Sequence, residues 1–201
     1  SVAGDGVYLL SFLPQSEVKR VVNYAVSQGP HNFAAMVPAT PYGDVISAAF
    51  DDAVKSAGAT SVDIEHFAPN SATVMAPSAV IAKSNADAVI IAQGGGILRA
   101  IAPSLVFNGL DPAKVKLLGT GLWDDASTVK EQTLDGGWFA APEPNADNTF
   151  NDKYRAIYGA PAPQLASLAY DAVSLIALLS NGEPYHRFTT TALMDPNGFA
   201  G

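Results

Sequence analysis

The sequence contains no cysteine among its 201 residues. Thiol catalysis, disulfide bonds and cysteine-ligated zinc are therefore excluded within it. The absence does not fix a redox compartment, because many envelope proteins carry no disulfide. Histidine is almost as scarce, with three in all. His31 sits in a Pro-His-Asn turn, His66 ends a strand-like run, and His186 lies in a loop far along the chain. None has a paired carboxylate or a serine at a strand-to-helix elbow, so no catalytic triad is expected. Metal-ligand spacings such as His-x3-His or Asp-x-Asp are absent too. Basic residues are few: 11 Lys and Arg against 19 Asp and Glu, a formal charge of −8. The tightest basic pair is Lys19-Arg20, on a helix that reads as solvated. Such a chain is repelled by phosphate backbones and anionic lipid surfaces, which argues against a nucleic-acid partner. No apolar run reaches the roughly 18 residues of a membrane span. The longest candidate, Leu165 to Leu179, is interrupted by Ser167, Asp171 and Ser174. No signal-peptide pattern opens the sequence, and it closes on a loop-like Gly-Phe-Ala-Gly. The expectation is a piece of something longer.

What the sequence does have is core. Hydrophobic residues make up 48% and charged residues 15%, which suits a packed domain and not a disordered chain. Short apolar, β-branched runs alternate with helical patterns. Val7 to Phe12 reads as a strand, with Pro14 suited to the first turn of a helix reaching Gln28. Val18, Val21, Val22 and Ala25 in that helix have the spacing of one buried face. Further strands are expected at 33–37, 60–67, 86–92, 115–119 and 137–141, and helices at about 41–57, 74–84 and 97–108. Ala86 to Ala92 is apolar on both sides except at Asp87, as for a strand buried on both faces of a parallel sheet. After residue 141 the rhythm turns helical, at about 147–158 and 165–180, with a short helix near Phe188. The helix over 165–179 is apolar nearly all round, so it must be covered on most sides. The fold class expected is α/β, a doubly wound, mostly parallel sheet flanked by helices. Residues 1–141 would form an α/β lobe, 142–186 a helical segment and 187–201 a final short segment.

Chemistry concentrates at three strand-to-helix junctions. Gly94, Gly95 and Gly96 follow a strand and open a helix, where free backbone N–H groups favour an anion. In a parallel sheet that junction lies at the carboxyl edge, the usual ligand site of open α/β folds. The triplet matches neither G-x-G-x-x-G nor a P-loop, and a tight turn that needs glycine for steric reasons is the alternative. At a second junction Tyr42 offers a ring and a hydroxyl, with Asp44 suited to capping its helix or to the first turn. At a third, Trp123 and Asp124 read as cleft-facing aromatic and as helix cap or ligand contact.

The order of these phrases resembles the C-terminal lobe of the type I periplasmic binding proteins, the leucine/isoleucine/valine-binding class. VYLLSFLPQSEVKRVVNYAVSQG resembles that lobe's first strand and helix, and FAAMVPATPYGDVISAAFDDAVKSAGA its next strand and Tyr-Gly helix start. ADAVIIAQGGGILRAIAPSLVFNGL and VKLLGTGLWDD are similar to the following two units. FNDKYRAIYGAPAPQLASLAYDAVSLIALL is similar to the helices that return to the other lobe, and ALMDPNGFAG to the segment beyond. The resemblance implies a non-enzymatic periplasmic receptor without cofactor or metal. It would bind an amino acid or related small polar solute and deliver it to an ABC permease. Tyr42 matches a tyrosine that contacts ligand in such binders. Gly94 to Gly96 stand where they carry a tyrosine-rich turn, and Trp123-Asp124 lie near an acid that pairs with the ligand's ammonium. A second reading stays open, because GTGLWDD and the Tyr-Gly helix start are also similar to the penicillin-binding-protein activators. That reading implies an envelope module docking a cell-wall synthase. On either reading the expected location is the periplasm, with a lipid anchor in the full-length form. Self-association through the 165–179 helix is a further expectation.

Overall fold

The structure, a computed structural model, describes residues 6–125, 128–142, 148–163, 166–183 and 185–195. The chain divides into two compact units, residues 12–142 and residues 1–11 together with 143–201.

In the first unit the alternation of apolar runs and amphipathic helices resolves into α1 (Pro14–Ser27), β1 (Asn32–Pro38), α2 (Pro41–Ser56), β2 (Thr60–Phe67), α3 (Met75–Ile81), β3 (Ala88–Ile91), α4 (Gly95–Phe107), β4 (Lys116–Gly119) and β5 (Trp138–Phe139). The five strands form one sheet in the order β2-β1-β3-β4-β5, and every pairing is parallel. Side-chain alternation along the central strands splits the core in two. Phe33, Ala35, Val37, Ala88 and Ile90 face α1 and α2, meeting Val18, Val21, Val22, Ile46 and Phe50. Ala34, Met36, Val89 and Ile91 face the other way, onto Ile81 of α3 and Leu98, Ile101 and Leu105 of α4. A strand covered on both faces has no room for polar alternation, which is why β1 and β3 read as continuous apolar runs. The exception, Asp87, lies just before β3. Its Oδ2 accepts from the N–H groups of His31 at 3.0 Å and Asn32 at 2.8 Å, tying the start of β1 to its neighbour.

One expected strand is missing. Val7 forms an isolated bridge, and no ladder continues to Phe12. Val7, Leu9 and Leu10 are about half exposed. Apolar, β-branched composition favours a pleated surface, but a strand exists only where a partner edge takes up its backbone groups.

The second unit contains α5 (Asn148–Tyr158), α6 (Ala166–Ser180) and the single turn α7 (Thr190–Leu193). Tyr154 stacks on Tyr158 at 4.5 Å between centroids, while Phe150 meets Tyr170 of α6 at 4.9 Å. Of α6 only Ser167 and Leu179 are buried among the described residues, and Val173, Ile176 and Leu178 are exposed.

Candidate functional site

With the sheet order β2-β1-β3-β4-β5, the chain winds outward in opposite directions from β1 and from β3. Ligands of open α/β sheets bind in the crevice that such a reversal opens at the carboxyl ends of the strands. The turns flanking this crevice are β1 to α2, which carries Tyr42, and β3 to α4, which carries Gly94 to Gly96.

The first turn is held by Thr40. Its side chain accepts from the Gly43 N–H at 3.3 Å and caps α2, the role the sequence suggested for Asp44. Asp44 is an exposed residue of the first turn instead. Gly43 lies so close to the Pro38 carbonyl that no Cβ fits between them. Tyr42 is thereby turned along the edge, half-buried, with its hydroxyl 3.4 Å from Thr120 Oγ1 at the end of β4. Burial pushes its phenol above the ordinary value; the Thr120 contact opposes this and the Glu17 charge adds to it. The hydroxyl therefore remains a proton donor.

The glycine triplet divides by cause. Gly95 has φ +60°, a conformation that favours glycine. A Cβ on Gly94 would sit 2.5 Å from the Leu122 carbonyl oxygen, so the β3 turn packs directly on the β4 turn. Gly96 is open, with Arg99 Nη2 3.8 Å away as the nearest contact. Steric need thus explains two of the three. The N–H groups of Gly95, Gly96 and Ile97 have no partner among the described residues, as the first turn of a helix leaves them. They supply a donor set for an anion.

The third junction departs from expectation. Trp123 is 2% exposed and packs under the sheet, donating its indole N–H to the Ile91 carbonyl at 3.1 Å. The ring lies against Gly119 and Gly137, where a Cβ would collide with it. Trp123 is a core residue and not a cleft aromatic, because glycine at the end of β4 and just before β5 leaves a slot that an indole fills. Asp124 is exposed and opens no helix with its side chain among the described residues; its backbone N–H closes the Gly121–Trp123 turn onto the Gly121 carbonyl at 3.0 Å.

Another acid occupies this edge. Glu17, in the first turn of α1, accepts the Gly121 N–H on Oε2 at 3.1 Å. Burial raises its carboxyl above the ordinary range, and the Gly121 hydrogen bond offsets this in part. An acid in a first turn is an ordinary helix-dipole preference, which hides its role in sequence. The available signal was topological, since helices antiparallel to a parallel sheet begin at its carboxyl edge.

The histidines remain scattered. Ser47 Oγ lies 3.2 Å from His66 Nε2, but it donates its proton to the Gly43 carbonyl at 2.9 Å. Among the described residues no group of His, Asp and Glu could hold a metal ion. Two surface grooves of about 420 and 410 Å³ lie elsewhere. One follows Lys19, Val45 and Asp52 between α1 and α2; the other follows Tyr24 and Trp138 beside β5.

A family model described as periplasmic binding protein matches residues 2–181. The chain belongs to that family. It is a family of binding proteins, not of enzymes. Among solved structures, a Rhodospirillum rubrum protein described as a branched-chain amino acid ABC transporter superposes with a TM-score of 0.77 at 18% identity. The match covers 96% of this chain and 57% of that one. A solute-binding protein from R. palustris in complex with benzoate matches at TM-score 0.65 and 19% identity, covering 83% of this chain and 47% of its own. A substrate-binding protein from Desulfitobacterium hafniense in complex with Leu matches at 0.61 and 22%, covering 90% and 53%. Identities this low speak for the fold. This periplasmic binding protein chain thus spans about half the length of the solved structures it matches. No curated protein matches it.

Proposed function

We propose that the chain supplies a ligand-binding lobe of a periplasmic receptor, the solute-binding component of an ABC transporter. The compact unit 12–142 forms that lobe, where the sequence predicts 1–141; 143–186 is the helical return segment and 187–201 the crossover. The solute is an amino acid or a related small polar molecule, seated on Tyr42, Gly94, Gly95, Gly96 and Asp124.

The observation that carries the reading is the pairing of Tyr42 with Thr120 beside the unpartnered N–H groups that open α4. A hydroxyl, a helix start and carboxylates along the switch point are the polar complement that orients a small zwitterion. Two of the structural neighbours carry ligands of suitable size, leucine in one and benzoate in the other. Among the described residues no helix is long and apolar enough to cross a membrane, which is compatible with a receptor working outside the bilayer.

Titration calorimetry of the intact protein against amino acids and small organic acids tests the assignment. Binding at micromolar affinity is expected, and Tyr42→Ala should weaken it by about 1–3 kcal/mol through the lost hydroxyl and ring. Asp124→Ala should weaken an amino-bearing solute in the same range. A wild-type protein that binds no solute would turn the assignment toward a protein-docking module of the activator type.

A further inference from the structure

Glu17 makes a choice among solutes that the edge otherwise leaves open. We propose that Glu17 is the specificity-determining residue of this edge, recognising a cationic nitrogen on the solute and excluding simple carboxylates. The inference rests on the receptor reading above and narrows it.

Four observations point the same way. Glu17 is half-buried, yet no Lys or Arg pairs with it among the described residues. Its hydrogen bond from the Gly121 N–H engages Oε2 and leaves Oε1 for a second donor. Gly121 is what admits it, because a Cβ there would stand 2.8 Å from Oε1. Glu17 and the Tyr42 hydroxyl also meet consecutive residues at the end of β4, Gly121 at 3.1 Å and Thr120 at 3.4 Å, which brings the carboxylate to the edge that carries the hydroxyl.

The physical consequence follows from desolvation. A carboxylate withdrawn from water without a counter-charge loses hydration that only a cation restores. An ammonium docking on Oε1 would return it, through a charge-assisted hydrogen bond. A carboxylate-only solute would bring a second negative charge to the same place and gain nothing from Glu17. Gly121, which binds Glu17, is followed by Leu122, whose carbonyl backs on Gly94 at the start of α4. The acid and the free N–H groups of α4 are therefore adjacent along the edge. An α-amino acid presents matching charges, its ammonium to Glu17 and its carboxylate to Gly95 and Gly96.

The test is calorimetry of the intact wild-type protein and of Glu17→Gln. The probes are the twenty proteinogenic L-amino acids, their desamino carboxylates and benzoate. Glutamine keeps an acceptor for the Gly121 N–H, so the turn survives, and circular dichroism checks this. The expected result is that an amino acid binds wild type and its desamino partner binds far more weakly. Glu17→Gln should then lose about ten- to hundredfold in affinity for the amino acid while its weak affinity for the desamino partner stays unchanged. A wild type that binds benzoate or a desamino acid as tightly as the amino acid overturns the inference and leaves the receptor standing. So does a Glu17→Gln variant with unaltered amino-acid affinity. A wild type that binds no probe overturns both.

Discussion

Replacing Trp123 with alanine separates a core role from a ligand-facing one. The indole is 2% exposed, lies against the Gly119 backbone and donates to the Ile91 carbonyl at 3.1 Å. Truncating a buried tryptophan costs about 3–5 kcal/mol in lost transfer energy and cavity. The lost indole hydrogen bond adds about 1 kcal/mol. Against a typical total stability of roughly 5–15 kcal/mol, that is a large fraction. With a urea slope of about 2 kcal/mol/M, the midpoint followed by circular dichroism should fall by about 2–3 M. Gly119 gives an internal control. A methyl at position 119 collides with the ring, so Gly119→Ala should cost about 1–3 kcal/mol by overpacking. In the double variant the methyl enters the space the indole vacated, so the two costs should fall short of their sum by about 1–2 kcal/mol. A Trp123→Ala protein within about 0.5 kcal/mol of wild type, or strictly additive costs, would refute the packing argument.

The same reasoning applies to the glycine triplet: Gly94→Ala meets the Leu122 carbonyl and should destabilise by about 1–3 kcal/mol, while Gly96→Ala, in open space at a helix start, should be neutral or slightly stabilising in the same urea assay. Burial raises the Glu17 carboxyl above its ordinary 4.5, so the folded state holds that proton more tightly than the unfolded one. Its contribution is complete below pH 4.5 and is lost as pH rises through the higher folded value; wild type should therefore lose stability relative to Glu17→Gln over that interval, read from urea midpoints at stepped pH. On α6, Val173→Ser with Ile176→Ser should change stability by less than about 0.5 kcal/mol per substitution, since both side chains are exposed, and should shift any self-association toward monomer in sedimentation velocity.

Much of the fold was legible because its cause is local. Val18, Val21, Val22 and Ala25 line one face of α1 in sequence and in structure. Pro14 and Pro41 open helices, and Asp87 was visible as the one acid in an apolar run. The site was legible in position but not in detail. Junction residues are found from strand order, but whether a side chain at a junction points into the cleft or under the sheet depends on partners distant in sequence. Trp123 went under because Gly119 and Gly137 make room there, and Gly137 belongs to the approach to another strand. Glu17 escaped notice because its partner Gly121 is 104 residues away. No spacing rule connects them. Val7 to Phe12 failed in the opposite sense, having strand composition without a ladder.

The carboxyl edge also separates what the fold needs from what it merely permits. Gly43, Gly94 and Gly95 are required by close approach or by backbone conformation, and Thr40 is required as a cap. Tyr42, Asp124, Gly96 and Glu17 meet no comparable demand. Glu17 is the sharpest case. Its structural duty, accepting one N–H from Gly121, could be met by glutamine without withdrawing a charge from water. The negative charge has no cation to answer it among the described residues; burial raises its own pKa, and its charge adds to the rise that burial gives Tyr42. Ionised, it gains the Gly121 hydrogen bond and the dipole at the start of α1, but the burial that raises its carboxyl outweighs the hydrogen bond. A cation docking on Oε1 would restore the hydration lost there, so the sign of the charge is what the Glu17→Gln comparison tests.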